Sequence, residues 1–328
     1  MLSKQVIGQV IKCNKFDPHK MANRMASFPI SRILSIFGLA ILLGFFNSCS
    51  SKLRFVSWNM EHLAENNGEG CVPRNDSDYF RLRDFAVNLD ADVVALQEVE
   101  SAKAVARVFP EDDWNIIVSD RPASPAYDCR GNGKKSTQQR VAIAIRKGVK
   151  YVEAGTFKEL ALDRVGLRYG LMVKLIHRKD TLEVMSIHLK SGCFVDDYSE
   201  SDRRACETFE KQVPLLDAWV EERIRNKRPF ILLGDFNHRI ANPQNKLWQD
   251  LTEMDGQVVV LSNSMQNLES CHPRYPEPID HILLGAGAEN FYVPGSEAVY
   301  YFSETPEGMD EEAMLSDHCP VGVVLKRR

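Results

Sequence analysis

Short apolar runs that end in polar clusters recur along this chain. Phe230-Ile231-Leu232-Leu233 is unbroken behind Pro229, stops at Gly234, and delivers Asp235, Asn237 and His238. Four consecutive apolar residues predict a short strand buried on both faces. The same signature predicts strands over Leu53 to Trp58, Asp92 to Leu96, Trp114 to Val118, Ile279 to Leu284 and Val321 to Leu325. Arg140 to Arg146 alternates and reads as a half-exposed strand. Leu171 to Ile176 and Leu182 to Leu189 read as a hairpin through Arg178-Lys179-Asp180. Helical spacing appears at Tyr79, Leu82, Phe85, Ala86 and Leu89, predicting a helix over 78–89, and a short helix follows over Ser101 to Phe109. A longer helix is expected from about Ser201 to Arg225, with Pro214 kinking it. Asp120 to Gln139 is a long basic loop, Val258 to Leu261 reads as irregular, and Cys271 to Pro278 is a proline-rich loop.

The polar ends of these strands form a pattern. Asn59, Glu98, His188, Asp235 and Asn237 each lie at a strand exit, whereas Asp280, Asp317 and His318 lie at a strand entrance. Where exits meet entrances in neighbouring antiparallel strands, all eight collect along one edge. Taken alone, Asp235 and Asn237 read equally well as turn residues. Eight such groups together do not. Oxygen donors without cysteine favour a hard cation, magnesium or else manganese or calcium. Glu98 is the first candidate ligand, with Asn59 beside it. A histidine next to an acid, as at Asp317-His318, suits acid–base work near neutral pH. His62, His177, His238 and His272 are expected to be structural, and His281 points away from Asp280 in a regular strand.

The charge balance changes the picture modestly. The net charge of −4 combines a basic start, with six Lys/Arg and one acid before residue 49, and a remainder with 35 basic and 44 acidic residues. That remainder is too acidic for a protein that coats nucleic acid indiscriminately, although local basic loops are compatible with a nuclease.

The first 49 residues read as an export segment and residues 50–328 as the folded domain. Ile33 to Phe46 is uncharged and follows Lys20, Arg24 and Arg32. As a helix it spans about 21 Å, short of the roughly 30 Å hydrocarbon core, which suits a signal peptide. Phe46-Asn47-Ser48 before Cys49 resembles a degenerate bacterial lipoprotein signal, with Cys49 acylated at the periplasmic face of a membrane. Ordinary cleavage and secretion, or retention as a short anchor, are the alternatives, and Met21 or Met25 is a candidate start. Export makes disulfides the natural use of the cysteines, since no CxxC spacing suggests zinc. Cys193 with Cys206 is the first expected pair and Cys71 with Cys129 the second, with Cys319 expected as a core thiol.

Six motifs then carry a resemblance. They are WNM-E at 58–61, LQEVE at 96–100, SIHLKSG at 186–192, GDFNHR at 234–239, IDHILL at 279–284 and SDHCPV at 316–321. In this order across Leu53 to Leu325 the chain resembles the endonuclease/exonuclease/phosphatase superfamily, the metal-dependent phosphoesterases related to pancreatic-type deoxyribonuclease. The resemblance implies a four-layer α/β sandwich of two mixed, mostly antiparallel sheets between outer helices. It implies that Glu98 and Asn59 hold the metal, with Glu61 a second acidic ligand. Asp235 would position or deprotonate the attacking water, and Asn237 would hold that water or the phosphate. His318 would contact the scissile phosphate, supported by Asp317 or Asp280, with His188 in the equivalent role opposite. Where deoxyribonuclease-like members support a histidine with an acid, this chain has Gln139.

The superfamily core does not name the substrate. Arg130, Lys134, Lys135 and Arg140, with Arg203 and Arg204 across the site, favour a nuclease or general phosphodiesterase acting as a monomer. Aromatics interleaved with these basic residues for base stacking are lacking. A phospholipid (sphingomyelinase-like) or small-molecule and inositol phosphoesterase is the second reading; Phe291-Tyr292-Val293 or Tyr300-Tyr301-Phe302 would supply a lipid-facing hairpin unless they are core strands. A non-catalytic binding protein on the same scaffold is the third, disfavoured by the full set of site residues.

Overall fold

A computed structural model of the chain describes residues 52–177, 180–303, 310–311 and 314–326. The expected export segment and Cys49 therefore lie outside the described residues, as do turn residues 178 and 179.

The strands are β1 (Lys52–Leu63), β2 (Val93–Val99), β3 (Trp114–Val118), β4 (Arg140–Arg146), β5 (Tyr151–Phe157), β6 (Gly170–His177), β7 (Asp180–His188), β8 (Phe230–Asp235), β9 (Glu253–Met254), β10 (Gln257–Val258), β11 (Leu261–Asn263), β12 (Asp280–Gly285), β13 (Ala298–Val299) and β14 (Val321–Lys326). The helices are α1 (Asp76–Asn88), α2 (Ala102–Ala106), α3 (Arg204–Arg225) and α4 (Lys246–Thr252). Two six-stranded sheets form, in the orders β13-β14-β1-β2-β4-β3 and β11-β12-β8-β7-β6-β5, beside a small β9–β10 ribbon. Both sheets are mixed: β1–β2 and β7–β8 run parallel, and the other pairs are antiparallel.

Alternation along the strands explains the layering. Ile231 and Leu233 of β8 face a core shared with Phe55, Val93, Ile143 and Val323 of the other sheet. Phe230 and Leu232 point the opposite way, onto Phe209, Leu216 and Leu251 of α3 and α4. On the far side, Val56, Trp58 and Leu96 meet Tyr79, Leu82 and Val105 of α1 and α2. Each central strand is thus apolar on both faces because it separates two cores. The result is the four-layer α/β sandwich that the motifs implied.

Local signals set the helix ends. Asn75 caps α1 by accepting from the backbone of Ser77 and Asp78, while Asp78 reaches back to the amide of Asn75. Helix α3 starts at Arg204, after a 3-10 turn at Tyr198–Glu200, and continues across Pro214 to Arg225. Helix α2 is shorter than the apolar spacing suggested. The strand β5 and helix α4 carried no clear pattern. A bulge between Glu153 and Gly155 breaks the alternation of β5, and α4 has only seven residues.

The disulfides correct one expectation. Cys193–Cys206 and Cys71–Cys129 form as expected, but Cys319 is not a thiol: it pairs with Cys271. Apolar flanks made Cys319 look like core, whereas its partner comes from a loop that no pattern placed. The runs Phe291-Tyr292-Val293 and Tyr300-Tyr301-Phe302 are not strands either. Phe291 and Tyr292 pack on the core between the sheets, and Tyr300 and Phe302 pack on the core beneath α1.

Candidate active site

Register brings the polar strand ends together. The parallel β7–β8 pair sets His188 opposite Asp235, and the antiparallel β12–β8 pair sets Asp280 opposite Asp235. Asn59 lies inside β1 and not at its exit, but the regular β1–β2 pairing breaks just after it, beside Glu98, and His318 precedes β14, antiparallel to β1. Asn59, Glu98, His188, Asp235, Asn237, Asp280, Asp317 and His318 all line one cleft of about 650 Å³.

Asp235 is its centre and is almost fully buried. Its Oδ2 accepts from Asn59 Nδ2 at 3.1 Å and Asn237 Nδ2 at 3.0 Å, and lies 3.3 Å from His188 Nε2. Its Oδ1 accepts from the Asn237 amide at 2.8 Å. Burial pushes the carboxyl up to about 7, against the pull of His318. His188, also buried, is held well below the ordinary imidazole value by burial and by Arg168, so it is neutral. His318 behaves oppositely. Burial alone would lower it, but Asp280 Oδ2 at 2.6 Å from Nδ1, with Asp317 and Asp235 nearby, raises it well above the ordinary value. It is a cation at neutral pH. The other Asp280 oxygen is buried without a hydrogen-bond partner among the described residues.

A second carboxylate group sits beside this pair. Glu98 Oε2 accepts from the His62 amide at 3.3 Å, and Glu98 Oε1 lies 3.8 Å from Arg168 Nη2 and 3.9 Å from His188 Nε2. Glu61 Oε2 accepts from the Asp317 amide at 3.0 Å, and burial together with the Asp317 charge pushes Glu61 up to about 7. Asp317 is raised as well, by burial and then by Glu98 and Asp280, against His318. Glu61, His62, Glu98 and Asn237 hold left-handed backbone at φ 44°, 58°, 57° and 53°. Such conformations are costly for non-glycine residues and gather where a site over-determines its backbone.

These observations meet an independent one. The model of the endonuclease/exonuclease/phosphatase family matches residues 56–318. The chain belongs to this family. Solved structures with the same fold include an endonuclease/exonuclease/phosphatase from Bacteroides vulgatus, at 18% identity and a TM-score of 0.54, covering 85% of this chain and 100% of that one. TDP2 of D. rerio, complexed with a single-strand DNA product, matches at 16% identity and a TM-score of 0.56, covering 84% and 98%. The 3′ phosphatase NExo from Neisseria, bound to a product DNA hairpin, matches at 16% and 0.51, covering 83% and 98%. Identities this low carry the fold alone. No curated protein matches the chain.

Divalent-cation dependence is typical of this family, and the residues present fit a hard cation. Glu98, Glu61 and Asp317 crowd their negative charge, and these carboxylates with the Asn59 amide offer oxygen donors. Among the described residues no three His, Cys, Asp or Glu side chains converge as a ready-made ligand set.

His272, expected to be structural, lines the cleft together with Phe194 and Tyr275, and three residues around the carboxylates also escaped the sequence reading. His62, expected to be structural, lies with Nε2 3.6 Å from Glu98 and 3.2 Å from Gln139 Nε2, so His62 is the histidine that Gln139 supports. Arg168 reaches Glu98 from the segment before β6. Arg74, buried, donates to Glu61 O and Leu315 O and ties two site loops together. No motif spacing marks any of them; only His62, one residue past WNM-E, lay close to a signal. Among the expected basic residues, Arg130 lines the cleft, joined by Arg239 of GDFNHR. Lys135 instead pairs with Asp128, Arg140 donates to Arg121 O and Glu100 O, and Arg203 and Arg204 are exposed outside the cleft lining. His238 and His281 are structural, as expected: His238 stacks on Phe209 at 3.7 Å, and His281 Nε2 meets His238 O at 3.1 Å.

Proposed function

We propose that this family member is a magnesium-dependent phosphodiesterase that cleaves nucleic-acid-type phosphodiesters. The observation that carries the reading is the facing of two opposite groups in one cleft: Asp235 with its amide supports, and His318 held cationic by Asp280. Asp235, poised near neutrality, accepts the proton of an attacking water. Asn237 orients that water or the phosphate. His318 offers positive charge to the scissile phosphate, where negative charge grows in the transition state. Neutral His188 approaches the phosphate from the opposite wall. A magnesium ion held by Glu98, Asn59 and Glu61 would neutralise a phosphoryl oxygen.

The packing of Phe291, Tyr292, Tyr300 and Phe302 onto the cores removes the two segments that the sequence offered as a lipid-facing hairpin, which weakens the phospholipid reading. The proposal includes export, with Cys49 acylated and the protein acting as a monomer. Three disulfides support an oxidising compartment. Mass spectrometry of the mature N-terminus checks that part.

The test of the chemistry is hydrolysis of bis-p-nitrophenyl phosphate and DNA by the purified protein. Magnesium should support turnover, EDTA should abolish it, and Asp235→Ala should lower it by at least ~100-fold. Turnover indifferent to EDTA would sink the mechanism.

A further inference from the structure

The three disulfides are not scattered. Each has a cysteine next to a residue of the cleft: Arg130 follows Cys129, Phe194 follows Cys193, and the Cys271–Cys319 bridge joins His272 to His318. The loop after Cys271 also carries Tyr275 into the cleft lining. Phe194 and Tyr275 are 46% and 61% exposed, and unlike the exposed Phe80 and Tyr127 they stand on the lining of the cleft itself. His272 braces Tyr275, with ring centroids 4.7 Å apart. An aromatic ring kept in water on a cross-linked loop is preorganised for a planar ligand, because little side-chain or loop entropy remains to be lost on binding.

Resting on the phosphodiesterase reading, we propose that Phe194 and Tyr275 are the specificity-determining residues of this cleft and stack unpaired nucleobases flanking the scissile phosphate. The substrate class is single-stranded nucleic acid. Arg130 and Arg239, on the same lining, meet neighbouring backbone phosphates; Arg239 is oriented by Glu277 at 2.8 Å. Stacking requires a free base face, which a duplex hides within its own stack.

Two measurements test this separately from the chemistry. Fluorescence anisotropy in EDTA reports binding of a labelled single strand without turnover, in deoxyribose and ribose versions to distinguish DNA from RNA. Tyr275→Ala and Phe194→Ala are expected to weaken binding about 5- to 100-fold each, with Tyr275→Trp restoring it. Affinity for an abasic strand of equal length should not change. Unaltered melting temperatures show that the variants are folded. Equal affinity of wild type and alanine variants for the based strand overturns the inference, as does tighter binding of a blunt duplex or preferential hydrolysis of sphingomyelin vesicles. Turnover of bis-p-nitrophenyl phosphate by the wild type reports independently on the phosphodiesterase reading. If that turnover is absent the reading falls, while the anisotropy still decides whether the aromatic pair binds bases.

Discussion

Asp280, at the start of β12, and His318, in the loop before β14, meet at 2.6 Å, so the charge on His318 depends on a residue 38 positions away. Replacing that carboxylate with an amide removes the main influence raising His318. In Asp280→Asn the imidazolium should lose its proton at lower pH. The alkaline limb of the pH–rate profile then moves toward acid, and kcat falls by about 10- to 100-fold. A profile that drops in height without moving would show that Asp280 does not set this charge. His238 makes the opposite case. Buried against Phe209 with neither ring nitrogen hydrogen-bonded among the described residues, it is lowered by burial to about 4. The unfolded chain therefore takes up a proton that the fold refuses between about pH 6.5 and pH 4. The resulting loss is at most about 3 kcal/mol as pH falls through that window, and none above it. His238→Phe should keep the stack and flatten the acid decline in urea-unfolding stability. An unchanged slope would count against a buried neutral imidazole.

Among the elements, β8 bears the closest constraint. Gly234 has φ 148°, and a Cβ there would come within 2.1 Å of Ile187 O on β7. That contact involves backbone, so no side chain can yield. Gly234→Ala should destabilise the protein by at least ~2 kcal/mol and misplace Asp235; chemical denaturation with parallel kinetics will show both effects or refute the argument. The β8 strand itself was legible because burial on both faces leaves an unbroken apolar run. The edge strand β5 was not, since a bulge and half-exposure erase its period. The helix α4 hid for another reason: two buried leucines, Leu247 and Leu251, cannot establish a helical repeat.

At the scale of the molecule, the site exists because two sheets end at the same place. Beneath it a buried chain crosses between them: Ser57 Oγ donates to Gln97 Oε1 at 3.4 Å, and Gln97 Nε2 donates to Ser186 Oγ at 3.3 Å. Each member lies close in sequence to a site residue, namely Asn59, Glu98 and His188. Gln97→Ala leaves two hydroxyls unsatisfied in a dry core, so it should cost about 1–3 kcal/mol. It should also lower kcat more than it raises KM, because the alignment of the sheets, and not the cleft surface, is disturbed. Thermal melts and steady-state kinetics on the same preparation decide this; an intact kcat would show the sheets hold their register without the bridge.

The main central strands, the double-sided burial of β8 and the placement of seven of the eight polar residues at or beside strand ends were local facts, readable from apolar runs and their flanks. So was the family, because its motifs sit at those ends. Tertiary structure alone decided which histidine is charged, since the neighbours of His318 and His188 come from other strands. It alone brought His62, Arg74 and Arg168 to Glu98 and Glu61, paired Cys271 with Cys319, and placed Phe194 and Tyr275 on the lining of the cleft. Those outcomes depend on contacts between distant segments, and periodicity records only which face a residue presents, not what meets it there.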